Sequence, residues 1–315
     1  MPMRVTLRQL KVFESVGRHL SFTRAAEELH LSQPAVSMLI KQLEEQLNVS
    51  LLEKLGKKNC LTEAGNEMLH YSREILRLLY EAEEVLDDLR GIRRGTLQIG
   101  VATTANAFAT QLLAAFSREF GGIQYKLDIT NRQTLLEQLE TNQAGLVIMG
   151  RPPSNLPLVA ESFMDNPLVV IAAPNHPLAE RKDIPLTELS NETFVIREKA
   201  SGTRIAMERF FKQHGGEIAS KIEMTSNEAI KNAVQAGLGL GIVSAHTMRL
   251  ELEVKKLVIL DVQSFPILRH WYLVHREDKR LSAVAEEFKK FVLGRAGEFD
   301  QLPKILNQEK VNRDD

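Results

Sequence analysis

The stretch "SQPAVSMLIKQLE", Ser32 to Glu44, predicts a helix with two different faces. Its apolar residues, continued to position 47, recur at helical spacing and form one buried stripe: Val36, Leu39, Ile40, Leu43 and Leu47. Gln33, Ser37 and Lys41 form a polar row on the opposite face. Pro34 lies in the first turn and costs little there, because first-turn amides have no intrahelical partner. We therefore expect a helix over 33–47 whose polar row is available to a partner.

Two shorter predicted helices precede this one. They cover Leu7–Val16 and Phe22–Leu29, and the second contains Ala25 and Ala26, which are small enough for close contact between helices. Only residues 30–32 separate the second predicted helix from the third. Two helices joined in this way form a helix-turn-helix. In DNA-binding examples the second helix of the unit enters the major groove.

A lysine-rich segment follows the third predicted helix. "LLEKLGKKNCLT", Leu51 to Thr62, has apolar ends and a Gly-Lys-Lys-Asn centre, which predicts a short β-hairpin. Residues 1–62 contain nine Lys or Arg and six Glu, although the whole chain has a net charge of −1. A basic hairpin beside the helix-turn-helix would form a wing against the DNA backbone. A polar row that is merely a solvated helix face is the alternative, and the combination of features favours DNA.

The residue types fit contacts with a duplex. A glutamine can bond adenine through two hydrogen bonds, serine is an adaptable partner, and lysine meets phosphate. The predicted DNA-binding residues lie at the starts of the second and third helices, along the polar row and in the hairpin: Phe22, Thr23, Ser32, Gln33, Pro34, Ser37, Met38, Lys41, Lys54, Lys57 and Lys58.

A long helix is predicted next, and residues 63–92 form the expected linker. Met68, Ile75, Ala82 and Leu89 recur every seven residues, and Leu79 and Leu86 lie between them: this is a coiled-coil seam. A helix that packs only on its own domain is the alternative. We expect an arm through which two chains pair.

From residue 93 to residue 297 predicted strands and helices alternate. This pattern predicts an α/β fold with largely parallel sheets, and nine strands suggest two lobes. We expect lobe I to cover about 93–164 and 269–297, because the last strand and helix return to it, and lobe II about 165–268. Residues 298–315 form a polar tail.

Several predicted helix starts and strand ends in this region fit a small anion. Helix N-termini offer free amides and partial positive charge, hydroxyls add donors, and arginines add charge. The predicted anion-binding residues are Thr103, Thr104, Asn131, Arg132, Arg151, Ser201, Gly202, Thr203, Arg204, Ser226 and Asn227. The simpler alternatives are that the hydroxyls only cap helices and that Arg151 is a surface charge.

The N-terminal motifs also resemble a known family. "SFTRAAEELHLSQPAVSMLIKQLEEQLNVSLLEKLGKKNCLTEAG", Ser21 to Gly65, is similar to the winged helix-turn-helix of LysR-type transcriptional regulators. The resemblance implies a linker helix and a two-lobed effector domain like periplasmic binding proteins. It implies effector contacts around Thr103 and Thr104, around Asn131 to Thr134 and around Ser201 to Thr203, so Thr134 and the anion-binding residues above are the predicted effector-binding residues. It also implies homotetramers that bend promoter DNA and act on RNA polymerase. Many members carry arginine where this chain has Lys54 and Lys58, and lysine loses the bidentate fork.

Three further stretches resemble the LysR-type regulators of CO2-fixation (RuBisCO) operons. They are "IMGRPP" at 148–153, "REKASGTR" at 197–204 and "NEAIKNAVQAGLGLGIVSAHT" at 227–247. This resemblance implies an effector such as ribulose bisphosphate, phosphoglycolate or phosphoenolpyruvate, or NADPH, and no bound cofactor. A LysR-type regulator of another metabolic operon stays open.

Other function classes find less support. No paired acid and base, nucleophile motif or metal spacing supports an α/β enzyme with a helical appendage, and "GLGLG" at 237–241 enters a strand rather than a helix. A secreted solute-binding protein would carry a signal segment, and no apolar segment of that kind is visible. The chain has one cysteine, which fits a reducing compartment, so we expect a cytoplasmic protein.

Overall fold

The computed structural model describes residues 5–56, 58–88, 95–141, 143–215, 218, 220–300 and 302–303. The chain divides into two compact units, Met1–Asp87 and Asp88–Asp315. The first unit contains the elements α1 (Leu7–His19), α2 (Phe22–Glu28), α3 (Gln33–Leu47), β1 (Leu52–Leu55), β2 (Lys58–Leu61) and α4 (Glu63–Asp88). The helices and the hairpin predicted for the first 62 residues are therefore present.

The core of the first unit explains the arrangement of its helices. Its buried apolar residues come from all three short helices, from the residue before β1 and from α4: Val12, Phe13, Val16, Ala25, Ala26, Val36, Ile40, Leu43, Leu51 and Leu69. Leu39 and Leu47, predicted to be buried, are half-buried and pack against this core. The two alanines bring α2 close to its neighbours because they have no side chain beyond Cβ.

Caps define where α3 begins and ends. The Ser32 hydroxyl accepts a hydrogen bond from the amide of Ala35 at 3.3 Å, as an N-cap does. Asn48 ends the helix in the left-handed region, with φ 54°. The connection from α2 to α3 covers residues 29–32, one residue more than predicted, because α2 ends at Glu28. His30 makes this turn with φ 53°.

The hairpin is fixed to the helices by side-chain hydrogen bonds. One carboxylate oxygen of Glu44, on α3, accepts from the amides of Leu51 at 2.8 Å and Leu52 at 3.2 Å. The Asn59 side-chain amide donates to the carbonyl of Leu20 at 3.1 Å. The wing is thus held against α3 and against the turn that follows α1.

The second unit contains two five-stranded sheets. Sheet I has the order β4-β3-β5-β12-β6 and sheet II the order β11-β7-β10-β8-β9. The strands are β3 (Thr96–Ala102), β4 (Gln124–Thr130), β5 (Leu146–Met149), β6 (Leu158–Asp165), β7 (Leu168–Ala172), β8 (Thr193–Arg197), β9 (Ser220–Met224), β10 (Leu240–Ser244), β11 (Val258–Ile259) and β12 (His270–Arg276). The helices are α5 (Asn106–Glu119), α6 (Arg132–Glu140), α7 (Gly202–Gln213), α8 (Asn227–Gln235), α9 (Arg249–Glu253) and α10 (Ala283–Arg295).

The prediction of largely parallel sheets was only partly right. In sheet I the strand β12 runs antiparallel to both β5 and β6, and in sheet II the strand β7 runs antiparallel to both β10 and β11. Strand β6 was not predicted, since only one of its eight residues is fully buried and its sequence lacks a continuous apolar run. As predicted, the last strand and α10 return to the first lobe.

Two crossover segments connect the sheets, one between β6 and β7 and one between β11 and β12. They are hydrogen-bonded to each other: the Asn166 amide donates to the Arg269 carbonyl at 2.7 Å. Leu168 and Ile267 exchange two backbone hydrogen bonds of 3.0 Å each. This paired segment is the hinge between the two lobes.

Candidate functional site

The polar row of α3 lies on the surface of the first unit. Gln33, Ser37 and Lys41 are exposed, whereas Val36 and Ile40, on the opposite face of the helix, are buried. Pro34 and Met38 are also exposed, and Met38 keeps 55% of its surface accessible. The face of the helix that is free of the core therefore carries hydrogen-bonding groups, a cation and one large apolar side chain.

The remaining predicted DNA-contact residues lie before this face and after it in the sequence. Thr23 and Ser32 are exposed at two helix starts, and Lys54 and Lys58 are exposed on the two strands of the wing. Lys57 lies outside the described residues. Phe22 is only half-exposed because it packs against the core of the first unit, so its ring has a structural contact as well.

Helix α4 has one face in the core and one apolar face on the surface. Leu69, Ser72 and Leu76 are buried. Apolar side chains that are between 36% and 59% exposed follow one another along the other face, and we call them the α4 stripe: Tyr71, Ile75, Leu78, Leu79 and Leu86. The helix therefore packs on its own unit through one face and leaves the α4 stripe on the surface, while the pairing of two chains stays a prediction. Leu89, predicted for the seam, lies outside the described residues.

A cavity of about 250 Å³ lies between the two sheets of the second unit. Eight of the predicted effector-binding residues line it: Thr103, Thr104, Asn131, Arg132, Arg151, Ser201, Gly202 and Thr203. They come from the ends of β3, β4 and β5 and from the start of α7, as the strand-end rule for open α/β sheets predicts. The hinge contributes Asn166, Leu268 and Arg269.

The charge of the cavity lining is positive. Five arginines line it, Arg132, Arg151, Arg197, Arg209 and Arg269, and no Asp or Glu occurs among the described lining residues. Among these arginines, Arg197 forms an ion pair with Glu198, with N–O distances of 2.7 and 2.9 Å. Its third nitrogen donates to Asn227 at 3.0 Å and to the Thr103 hydroxyl at 3.4 Å, so this side chain connects lobe II to lobe I.

Neighbouring arginines lower the pKa of two of the others. Burial and the charge of Arg132 lower the pKa of Arg269 to about 9. Burial and the charge of Arg209 lower the pKa of Arg132. With a pKa of about 9, Arg269 is protonated at neutral pH, so the cavity holds like charges that repel each other. An anion placed among them would relieve both the repulsion and the loss of solvation.

Four predicted effector contacts need correction, since the structure places them outside the cavity lining. Arg204 forms ion pairs with Glu208, at 2.7 Å, and with Glu223, and donates to the carbonyl of Arg197. The other three hold the local structure: Ser226 caps α8, Asn227 bonds Arg197, and the amide of Thr134 donates to the Asn131 side chain. The hydroxyl of Ser226 therefore caps a helix, which was the simpler alternative to effector binding.

Three cavity arginines were not found from the sequence. Arg197 is the last residue of β8, so the rule that ligands lie at the carboxyl ends of strands could have indicated it. Arg209 is on the third turn of α7, away from the helix start, and Arg269 lies in a crossover whose sequence carries no anion-binding motif. Only the fold brings these two to the cavity.

Comparisons with known proteins agree on the family. Residues 7–66 match the family described as "Bacterial regulatory helix-turn-helix protein, lysR family", and residues 90–297 match "LysR substrate binding domain". The RuBisCO operon transcriptional regulator of Allochromatium vinosum is 57% identical over 294 residues, which cover 93% of this chain and 97% of that protein.

Solved structures show the same fold. The regulatory domain of CcmR from Synechocystis PCC6803, solved in complex with 2-PG, is 39% identical, with a TM-score of 0.62 over 64% of this chain and 97% of that one. Full-length CbnR, solved with its target DNA, is 20% identical, with a TM-score of 0.55 over 93% of this chain and 100% of that one. Within the described residues, no helix meets the length and hydropathy needed to cross a membrane, and no acid, histidine and cysteine cluster could hold a metal.

The charge of the cavity leads to a test on Arg132. We expect Arg132→Gln to weaken the binding of inorganic phosphate and to raise the melting temperature of the free protein, because one of the repelling charges is removed. Isothermal titration and thermal unfolding at pH 7.5 measure the two effects. Arg118→Gln removes an exposed charge outside the cavity and serves as the control. Equal effects of both substitutions would contradict a specific role of Arg132.

Proposed function

The chain belongs to the LysR family of bacterial transcriptional regulators, and from this we propose that it controls carbon-fixation (RuBisCO) genes in response to a small anionic metabolite. The relative from Allochromatium vinosum, 57% identical and matched over nearly its whole length, supports this regulon. The exposed polar row supports DNA binding, and the unneutralised arginines of the cavity are the observation that carries the anionic effector. Control of another metabolic operon is the alternative, and the identity of the effector distinguishes the two.

In the proposed DNA complex, α3 lies in the major groove. Gln33 and Ser37 contact base edges, with Gln33 suited to adenine, and Lys41 meets a phosphate. Lys54 and Lys58 on the wing, together with Lys57, contact the backbone. The support is the exposure of these side chains together with the buried opposite face of α3.

In the proposed effector complex, a compact phosphorylated acid occupies the cavity. The regulatory domain of CcmR, 39% identical over the same region, was solved with 2-PG, and 2-phosphoglycolate is therefore our first candidate. Ribulose bisphosphate and phosphoenolpyruvate carry the same kinds of charged group. A cavity of about 250 Å³ favours such compact molecules over a dinucleotide such as NADPH.

The α4 stripe supports a proposal about assembly. Exposed apolar residues recurring along a long helix are suited to pairing with a second copy of that helix. Two chains joined in this way would place two reading helices on the half-sites of a pseudo-palindrome. We propose that two such dimers form a homotetramer that bends promoter DNA in the cytoplasm and presents it to RNA polymerase.

Effector and DNA would be coupled through the lobes. The effector contacts both sheets, so its binding favours one arrangement of the lobes over another. It can shift the assembly only to the extent that it binds one arrangement more tightly. The shifted arrangement would change the separation of the DNA-binding units and hence the DNA bend.

The assignment of α3 as the reading helix has a direct test. We expect Gln33→Ala to cost about 1–3 kcal/mol of specific binding and to relax the preference for one base, whereas Lys58→Ala should weaken all sequences alike and lower the salt slope. Gel shifts with operator and scrambled DNA at several salt concentrations measure both. Gln46→Ala, an exposed glutamine at the other end of α3, is the control. Unchanged selectivity in Gln33→Ala would contradict the assignment.

The assignment of the α4 stripe is tested through the mass of the assembly. We expect Leu78→Glu to lower the oligomeric state, since the charge would have to be buried in the paired helices. Light scattering coupled to size exclusion measures the mass. Leu250→Glu places the same charge at an exposed leucine of α9, and we expect no change there. Wild-type mass in Leu78→Glu would speak against pairing through this stripe.

The coupling is tested by DNA bending. We expect 2-phosphoglycolate to change the bend of promoter DNA held by the wild-type protein, and to change it much less in Arg132→Gln. Fluorescence energy transfer between the ends of a labelled promoter fragment measures the bend. A bend that stays constant at saturating effector would rule out this route of coupling.

A further inference from the structure

Three residues that line the hinge side of the cavity each carry an enclosed hydrogen-bond donor that the described part of the chain leaves unmatched. The donors are Nδ2 of Asn166, Nε of Arg269 and Nε1 of Trp271. Each of these atoms is enclosed, and all three residues line the cavity. Asn166 is 0% exposed and Trp271 is 1% exposed, so their polar groups are held away from bulk solvent.

The hinge fixes the positions of these donors. The Asn166 backbone amide donates to the Arg269 carbonyl at 2.7 Å, which joins the two crossovers at this point. The Ser244 hydroxyl donates to Oδ1 of Asn166 at 2.8 Å, which orients the side-chain amide and leaves Nδ2 for another acceptor. A different nitrogen of Arg269 donates to the carbonyl of Gly202 at 3.1 Å and so holds that guanidinium against the start of α7.

The chemistry of the missing partner follows from the donors. Enclosed donors without acceptors are costly, and the cost is recovered when an acceptor arrives. All three groups donate and none accepts, so an ammonium group, which only donates, could not satisfy them, and a single hydroxyl could accept from at most two of them. A carboxylate or phosphate offers several acceptor oxygens and also the negative charge that the guanidinium of Arg269 requires.

We propose that an acidic group of the effector binds at the hinge and accepts hydrogen bonds from Asn166, Arg269 and Trp271. This inference rests on the proposed function, because it places a group of the effector within the same cavity. The bound group joins both crossovers at once. The hinge itself therefore becomes part of the binding site, and its occupancy acts directly on the segment that connects the two lobes.

The test compares two asparagine substitutions in the full chain. Asn166→Asp keeps the size of the side chain and an acceptor for Ser244, but replaces the donor with a charged oxygen that repels an anion. Asn155→Asp makes the same change of charge at an exposed position outside the cavity. We expect 2-phosphoglycolate, measured by isothermal titration at pH 7.5, to bind Asn166→Asp at least about tenfold more weakly and Asn155→Asp as tightly as wild type.

A second measurement needs no substitution. Trp271 is the single tryptophan of the chain, so the intrinsic tryptophan fluorescence of the wild-type protein reports on this group alone. We expect saturation with 2-phosphoglycolate to change the intensity or the wavelength of the emission. This measurement decides the matter if circular dichroism shows that Asn166→Asp does not fold.

The outcomes separate the two proposals. If the wild-type protein binds 2-phosphoglycolate while Asn166→Asp binds equally well, or while both aspartates weaken binding alike, the hinge site is wrong and the anionic effector stands. An unchanged fluorescence spectrum at saturation overturns the hinge site in the same way. If the wild-type protein binds neither 2-phosphoglycolate nor inorganic phosphate, the effector proposal and the hinge site fail together.

Discussion

Positive charge that the protein does not neutralise is the constraint on which the effector-binding unit depends. Arginines are seldom buried without partners, because the loss of solvation is costly. Here burial and the charge of Arg132 lower the pKa of Arg269, and burial and the charge of Arg209 lower the pKa of Arg132, which is a state that a protein optimised only for stability would avoid. A ligand that recovers this cost gains affinity without any new packing, so the repulsion in the free protein is a source of binding free energy.

The cost of burying an unpaired charge also explains why other arginines of this unit form ion pairs. Arg197 has Glu198, and Arg204 has Glu208 and Glu223, so these side chains stabilise the fold in the absence of a ligand. Arg197 combines the two roles, since it lines the cavity and also reaches Thr103 across the lobes. Arg197, whose charge is neutralised, thus helps to hold the shape of the cavity. The arginines without a carboxylate partner among the described residues give the cavity the positive charge that would attract an anion.

The sequence predicted those parts of the fold that local patterns determine. The stripe from Val36 to Leu43, the cap at Ser32 and the lysine-rich turn each follow from neighbouring residues, and the first unit was predicted almost completely. Helix starts such as Ser201 could also be found locally. Strand β6 was missed because it lies at a sheet edge, where burial leaves little apolar pattern.

Long-range placement could not be predicted in this way. Arg269 and Trp271 reach the cavity because β12 returns to sheet I after a whole lobe, and Asn166 meets Ser244 across 78 positions of sequence. Conversely, Arg204 follows the predicted motif but turns toward Glu223, since the partner on a neighbouring strand is visible only in three dimensions. Local chemistry indicates which residues could bind an anion, and topology determines which of them reach the cavity.

The carboxylate of Glu44 has a consequence for the choice of DNA targets. By accepting the amides of Leu51 and Leu52, it makes α3 and the wing one rigid piece. In the proposed DNA complex, the distance between a base contacted by α3 and a phosphate contacted by the wing is then set by the protein. Any variation in groove width among promoters has to be absorbed by deformation of the duplex, so the flexibility of the base steps between these contacts becomes part of what is recognised.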